Sequence, residues 1–236
     1  MSIKIENVDV FGFEAAIRGM RSPMNSWEKS DSFYCGIDGD WGNIDIGPND
    51  LDLMKRLSKA GNDHGKFLRM INVTMDLTAP LYFFKEFDTY KVGTVANSCS
   101  TMHKIHAKEF TLDDFSHEHL VCDEDLCCCG AECITPKDIL EMTICSLNGA
   151  RQKYIEAKNK PMKEESKRSG LMKKYWWLMI QLLPSSYNQR RTVQLNYQVL
   201  KSMYFARRNH KLDEWHTLCD WMLTLPYFRE ICVEVV

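Results

Sequence analysis

The chain has 236 residues, of which 44% are hydrophobic and 26% charged, and this composition excludes a disordered or fibrous protein. No apolar run approaches the roughly 18–20 residues that a membrane-spanning helix needs. The N-terminal residues contain no apolar signal core, so we expect a soluble, cytoplasmic protein without membrane contact.

The net charge of −2 hides an uneven distribution of charged residues. Residues 109–141 include ten acidic residues and one basic residue, whereas residues 151–211 include fifteen basic and three acidic residues. Two interpretations remain open: solvated or subunit-complementary faces of opposite sign, or a phosphate-binding surface in the basic stretch. Few aromatic residues interleave with the basic run, so nucleic-acid binding is not expected.

Hydrophobic periodicity and turn residues predict an α+β fold, with mostly helices and a small sheet of separated strands. In the clearest strand, 71–78, apolar and polar residues alternate, and Pro80 suits the first turn of the aromatic helix that follows. The predicted elements, in chain order, are a strand at 8–13, a helix at 14–20, a surface loop at 21–48, a helix at 50–60, the strand at 71–78, helices at 80–87, 97–107, 135–158 and 164–183, a strand at 191–195, and helices at 197–207 and 212–225.

An acidic, cysteine-rich segment at about 111–135 is predicted to be an insertion. Thiolates and imidazoles are the ligands that zinc prefers, but no Cys-x-x-Cys pair recurs here at zinc-finger spacing. A structural zinc site, a loop of reduced thiols and a redox-sensing thiol cluster therefore remain open. The candidate metal ligands are Cys122, Cys127, Cys129 and Cys133, and the core candidates of the helix that follows are Ile139, Met142, Cys145 and Leu147.

The most informative pattern lies in the C-terminal third. Leu183-Pro184 is followed by Arg190, then by Asn196 where a predicted strand turns into a helix, and then by Arg207 at the far end of that helix. Asn196 can cap the helix. Two arginines near a helix N-terminus can bind a phosphate and a polar ring through bidentate guanidinium donors. The alternative is that both arginines are exposed residues that only increase solubility.

This pattern resembles the flavin-dependent thymidylate synthases, in which a Leu-Pro is followed at this spacing by an arginine, an asparagine and a second arginine. In the family's Asn-x-Arg-x-Leu motif, Gln198 stands in place of the arginine. The stretch before Gly61 is similar to the helix and glycine that precede the family's flavin-contacting histidine, and Glu86 stands where the family usually has a nucleotide-contacting glutamine.

The signature motif of the family is degenerate in this chain. Asn97 and Ser100 keep their places, whereas the glutamate, arginine and tyrosine of the signature are replaced by Ser98, Met102 and His103. With one inserted residue, 89–91 stands where the family has Arg-His-Arg, and without it the match is 90–92. Lys91 is then the one cation left in the triplet, and we expect weaker flavin binding.

The resemblance implies a fold like that of the thymidylate synthase-complementing protein, with a small antiparallel or mixed sheet and several long helices, in a single domain over 1–236. It implies FAD as cofactor, NADPH and methylenetetrahydrofolate as co-substrates, a pyrimidine nucleotide as ligand and a homotetramer with sites shared between subunits. The implied reaction is reductive methylation of dUMP to dTMP or a related reaction. The implied catalytic residues are Arg207 and Ser100, the substrate-binding residues are Arg190, Ser100, Glu86 and Arg207, and the cofactor-binding residues are Lys91, Asn97, Asn196 and Ser202.

A non-catalytic relative is the alternative from another functional class. Such a protein would keep the scaffold as a nucleotide-binding or interaction module and would lose the flavin. The colour of the purified protein distinguishes the two hypotheses, because only the enzyme needs a bound flavin.

Overall fold

The computed structural model describes residues 3–34, 44–120, 134–161 and 165–235. The chain divides into two compact units. The hairpin unit contains Thr78–Phe84 and Ser98–Arg190, and the sheet unit contains Ile3–Leu77, Lys85–Asn97 and Arg191–Val236. That the whole chain forms a single domain stays a prediction.

The architecture is α+β, with a four-stranded antiparallel sheet in the strand order β1-β4-β6-β5. A two-stranded sheet pairs β2 with β3. The strands are β1 (Lys4–Phe11), β2 (Phe33–Tyr34), β3 (Ile44–Asp45), β4 (Asn72–Pro80), β5 (Val95–Ser98) and β6 (Asn188–Asn196). The helices are α1 (Phe13–Arg21), α2 (Pro48–Lys59), α3 (Leu81–Phe87), α4 (Thr101–Lys104), α5 (Pro136–Asn159), α6 (Glu165–Leu182), α7 (Tyr197–Arg207) and α8 (Asp213–Met222).

In the sheet unit, β4 and β6 alternate buried and more exposed residues, as a strand with one covered face requires. Val73, Met75 and Leu77 of β4 are each at most 1% exposed. On β6, Val193 and Leu195 are equally buried, and the side chains of α7 and α8 complete this core. The alternation seen in the sequence therefore identified β4, one of the two interior strands.

In the hairpin unit, α5 and α6 pack along each other and carry a separate apolar core. Leu140, Leu147 and Ala150 face this core from α5, and Met179 faces it from α6. The prediction for Leu147 is confirmed, but Ile139, Met142 and Cys145 are exposed, so their assignment to the core is wrong. The buried face of α5 is the stripe that contains Leu140, Leu147 and Ala150, next to the predicted one. The helical pattern alone did not distinguish the two stripes.

Two local predictions are also corrected. Asn97 lies in β5, where a helix over 97–107 was expected, and the only helical turns in that range are the four residues of α4. Pro80 ends β4 and does not begin the helix that follows.

Among the described residues, no helix combines the length and apolarity that a bilayer crossing requires.

Candidate functional site

The junction between β6 and α7 is fixed by Asn196. Its Oδ1 accepts from the backbone N–H of Val199 at 3.1 Å, which caps the helix as the sequence predicts. The next residue, Tyr197, is fully buried, and its hydroxyl donates to the Pro226 carbonyl at 2.7 Å. Burial raises the pKa of Tyr197 well above its ordinary range, so this phenol stays protonated. The first turn of α7 is therefore anchored in one position.

A cleft of about 470 Å³ lies at this anchored turn, within the sheet unit. Of the predicted cofactor-binding residues, Lys91, Asn196 and Ser202 line it, whereas Asn97 is not among its described lining residues. The described part of the lining holds two cations, three side-chain amides and two hydroxyls besides a tyrosine, and no carboxylate is among these residues. The described lining residues are Asn62, Arg69, Thr89, Tyr90, Lys91, Val92, Gly93, Asn196, Gln198, Val199 and Ser202.

The loop that carries Lys91 approaches the start of α7 closely at Gly93. This glycine has a φ of +84°, and a Cβ placed on it would lie 3.0 Å from both Asn196 Nδ2 and Val199 Cγ2. A larger residue would be strained in its backbone and crowded against the cap. The glycine thus lets the segment 89–93 form one wall of the cleft.

Arg207, the last residue of α7, is held in one orientation by its neighbours in the sheet unit. Its Nε donates to the Tyr90 hydroxyl at 3.0 Å, and its Nη1 donates to Glu86 Oε2 at 2.6 Å. The guanidinium carbon lies 5.7 Å from the ring centroid of Tyr90 and 5.0 Å from that of Trp215. Cation–π contacts and charge-assisted hydrogen bonds both stabilise a guanidinium, so the side chain is preorganised.

Glu86 contacts two basic groups at once. Besides the ion pair with Arg207, its Oε2 lies 3.0 Å from His210 Nε2. The structure therefore brings together two of the predicted substrate-binding residues, Glu86 and Arg207. It also makes Glu86 the counterion of Arg207, which the sequence did not indicate.

The other predicted substrate-binding residues, Ser100 and Arg190, belong to the hairpin unit. The backbone N–H of Cys99 donates to the Arg190 carbonyl at 2.9 Å, so the backbone of Ser100 lies next to that of Arg190. Both side chains are exposed. The Ser100 hydroxyl accepts from the His103 backbone N–H at 3.1 Å and lies 2.9 Å from His103 Nδ1.

The four cysteines proposed as zinc ligands, Cys122, Cys127, Cys129 and Cys133, lie outside the described residues. Within the described ranges, no group of three or more His, Cys, Asp or Glu side chains is arranged to hold a metal ion.

The structure adds four residues to the neighbourhood of the site that the sequence patterns did not identify. Asn62 and Arg69 line the cleft, although no periodic signal marks either of them. His210 and Trp215 surround Arg207 and Glu86. His210 follows Arg207 by three residues, and this spacing was the one available signal.

No protein-family model matches the sequence, and no curated protein matches it either. The fold is similar to that of thymidylate synthase X (ThyX) from Helicobacter pylori, crystallised with FAD and dUMP. The TM-score is 0.60 at 14% sequence identity, over 99% of this chain and 98% of that chain. A second structure of this flavin-dependent thymidylate synthase, also complexed with FAD and dUMP, gives a TM-score of 0.61 at 15% identity over the full length of both chains. The chain therefore has a ThyX-like fold, which confirms the fold predicted from the sequence.

Proposed function

We propose that the protein is a flavin-dependent, thymidylate synthase-like enzyme that binds dUMP and converts it to dTMP or catalyses a closely related reaction. The observation that carries the proposal is the cleft at the start of α7, with its two cations, its amide and hydroxyl groups and its lack of carboxylates among the described lining residues. Cationic side chains form strong charge-assisted hydrogen bonds with phosphate groups, so such a lining favours a nucleotide. The likeness to ThyX chains crystallised with FAD and dUMP supports the same assignment.

The residues of the cleft fit a flavin nucleotide. The volume of the cleft, about 470 Å³, lies within the range of roughly 300–1,000 Å³ that small-molecule sites have. Lys91 and Arg69 would hold the phosphates, and the amides of Asn62 and Gln198 would bind polar atoms of the sugar or the rings. Arg69 supplies a second cation beside Lys91, which offsets part of the loss of the two arginines from the family triplet.

FAD supplies hydride-transfer chemistry when it is bound, and the protein supplies binding, orientation and electrostatics. Within the hairpin unit, Arg190 and Ser100 would bind a phosphate group. Within the sheet unit, Arg207 would stabilise negative charge that develops on a pyrimidine ring, because its guanidinium is already oriented by Tyr90 and Trp215.

We also propose that the protein assembles as a homotetramer whose sites are shared between subunits. Helix α6 supports this proposal, because it presents large apolar side chains to solvent on the side away from its own core. These side chains are Leu171, Trp177, Leu178 and Leu182. Light scattering on the full chain should give four times the mass of one chain, and a monomer in dilute solution would contradict the proposal.

The proposed reaction is tested by incubating the full chain with FAD, dUMP, methylenetetrahydrofolate and NADPH and measuring dTMP. We expect dTMP to form only when FAD is present. Binding of dUMP without any dTMP, together with a colourless protein that takes up no FAD, would instead identify the non-catalytic nucleotide-binding relative.

The cofactor site is tested by titrating FAD into the wild type and into Lys91→Ala, with Lys85→Ala as control. Lys85 is an exposed lysine of α3 that does not belong to the described lining of the cleft. A charged hydrogen bond contributes about 1.5–3 kcal/mol, so Lys91→Ala should weaken FAD binding about tenfold to a hundredfold. Equal affinities for the two variants would remove Lys91 from the site.

A further inference from the structure

The ion pair between Glu86 and Arg207 occupies the guanidinium that the proposed function assigns to the nucleotide. Arg207 Nη1 lies 2.6 Å from Glu86 Oε2. Among the described residues, Glu86 provides the only carboxylate in contact with this guanidinium. The Glu86 carboxylate therefore occupies the position at Nη1 that an anionic ligand would take.

The pair is exposed enough for its partners to be exchanged. The side chain of Arg207 is 20% exposed and that of Glu86 is 36% exposed. Ion pairs with this much contact with water contribute little net stability, because water competes for both charges. His210 Nε2, 3.0 Å from the same carboxylate oxygen, gives Glu86 a second partner that it can keep after it leaves Arg207.

The remaining contacts of Arg207 do not depend on Glu86. Nε donates to the Tyr90 hydroxyl, and the guanidinium lies over the Trp215 ring. Removing the charge of Glu86 should therefore leave the side chain in place while removing its counterion.

We propose that Glu86 is a specificity-determining residue that masks Arg207 and lowers the affinity of the site for anionic ligands. This inference rests on the proposed function for the identity of the natural ligand, a pyrimidine nucleotide. A positioning role for Glu86 predicts the opposite sign, because loss of the carboxylate would then disorder Arg207 and weaken anion binding. The sign of the change in affinity therefore decides between the two roles.

The test is an equilibrium titration of the full chain, as wild type, Glu86→Gln and Asp88→Asn, with inorganic pyrophosphate and separately with dUMP. Asp88 is a matched control, because it lies two residues from Glu86 and forms its own ion pair with Arg191 at 2.7 Å. Each variant removes one negative charge from the same stretch of chain, but only Glu86→Gln uncovers Arg207. Thermal unfolding of each variant establishes that it is folded.

We expect Glu86→Gln to bind pyrophosphate at least about tenfold more tightly than the wild type and Asp88→Asn do, since a charge-assisted hydrogen bond becomes available to the ligand. This gain in pyrophosphate affinity should disappear in the double variant Glu86→Gln with Arg207→Lys. Lysine keeps the positive charge but lacks the planar, bidentate donors of the guanidinium. An equal gain in Asp88→Asn, no gain, or a loss of affinity in Glu86→Gln would overturn the inference.

The two titrations separate this inference from the proposed function. If Glu86→Gln gains affinity for pyrophosphate but neither it nor the wild type binds dUMP, the masking of Arg207 stands and the nucleotide assignment fails. If dUMP binds to the wild type and to Glu86→Gln with the same affinity, and pyrophosphate also has the same affinity for both, the nucleotide assignment stands and the masking of Arg207 is overturned.

Discussion

Two arginine–carboxylate pairs of the sheet unit have the same N···O distance but different surroundings. Arg21 Nε lies 2.6 Å from Asp50 Oδ1, with side chains 5% and 0% exposed. Arg207 Nη1 also lies 2.6 Å from its partner, Glu86, but these side chains are 20% and 36% exposed. Burial, and not distance, separates a pair that is locked in place from one that can change partners.

The hydrogen bonds of the two carboxylates follow the same contrast. Besides Arg21, Asp50 accepts from the hydroxyls of Ser30 and Ser32, each at 2.7 Å, and from the backbone N–H groups of Asp31 and Ser32. Asp50 thus joins the segment before β2 to the start of α2. Among the described residues, Glu86 contacts two basic side chains near the candidate site, and water reaches both of them. We therefore interpret the first pair as structural, and the functional role of the second pair stays a proposal.

The largest effect is expected from Asp50→Asn, which leaves the buried Arg21 charge without a counterion. Breaking a buried pair in this way costs about 3–5 kcal/mol of unfolding free energy. The matched control is Asp52→Asn, because Asp52 pairs with Arg56 on the surface of the same helix, with side chains 65% and 68% exposed. Denaturant unfolding should give a change within about 0.5 kcal/mol for the control, and similar losses for both variants would abolish the contrast.

The same pair should make stability depend on pH. Burial raises the pKa of Asp50, but hydrogen bonds from Ser30, Ser32 and Arg21 and the charge of Arg21 together outweigh it, so the pKa lies below its ordinary value of 3.8. A lowered pKa in the folded state stabilises the fold above the unfolded pKa, and that stability is lost as the pH falls through the folded value. The stability difference between wild type and Asp50→Asn should therefore be constant above about pH 5 and narrow in stronger acid. A difference that does not vary down to acid unfolding would contradict this assignment.

Arg207→Gln should differ from Asp50→Asn in what it affects. We expect a modest loss of stability and a large loss of nucleotide binding. A charged hydrogen bond is worth about 1.5–3 kcal/mol, so the affinity for dUMP should fall about tenfold to a hundredfold. Calorimetric titration measures the affinity, and thermal unfolding measures the stability. Unfolding of the variant at ambient temperature would mean that Arg207 is structural in the same sense as Arg21.

The smallest effect is expected at Ser202. Its hydroxyl already donates to the Gln198 carbonyl at 3.0 Å, so it offers a ligand mainly an acceptor. Ser202→Ala should weaken FAD binding by about tenfold at most, because a neutral hydrogen bond contributes only about 0.5–1.5 kcal/mol. A larger loss than that of Lys91→Ala in the same titration would reverse the ranking within the cleft.

The sequence predicted elements whose pattern is local. Alternation in β4 and the cap at Asn196 are properties of neighbouring residues, and both predictions are confirmed by the structure. The resemblance to the flavin-dependent thymidylate synthases predicted the fold, and it selected Lys91, Asn196 and Ser202, which line one cleft.

The remaining features depend on contacts between distant parts of the chain. Val95–Ser98 is exposed throughout and gives no alternating signal, so its pairing in the sheet was not predicted. Ile139 and Met142 are apolar but exposed, and a helical pattern cannot tell which apolar stripe faces the core. Arg69 and Trp215 reach the neighbourhood of the site through tertiary packing alone, and no motif marks them.

Titration of the FAD-loaded wild-type chain with dUMP tests the central claim most directly. We predict saturable binding that perturbs the visible absorption bands of the flavin. A colourless protein that neither takes up FAD nor binds dUMP would contradict the account.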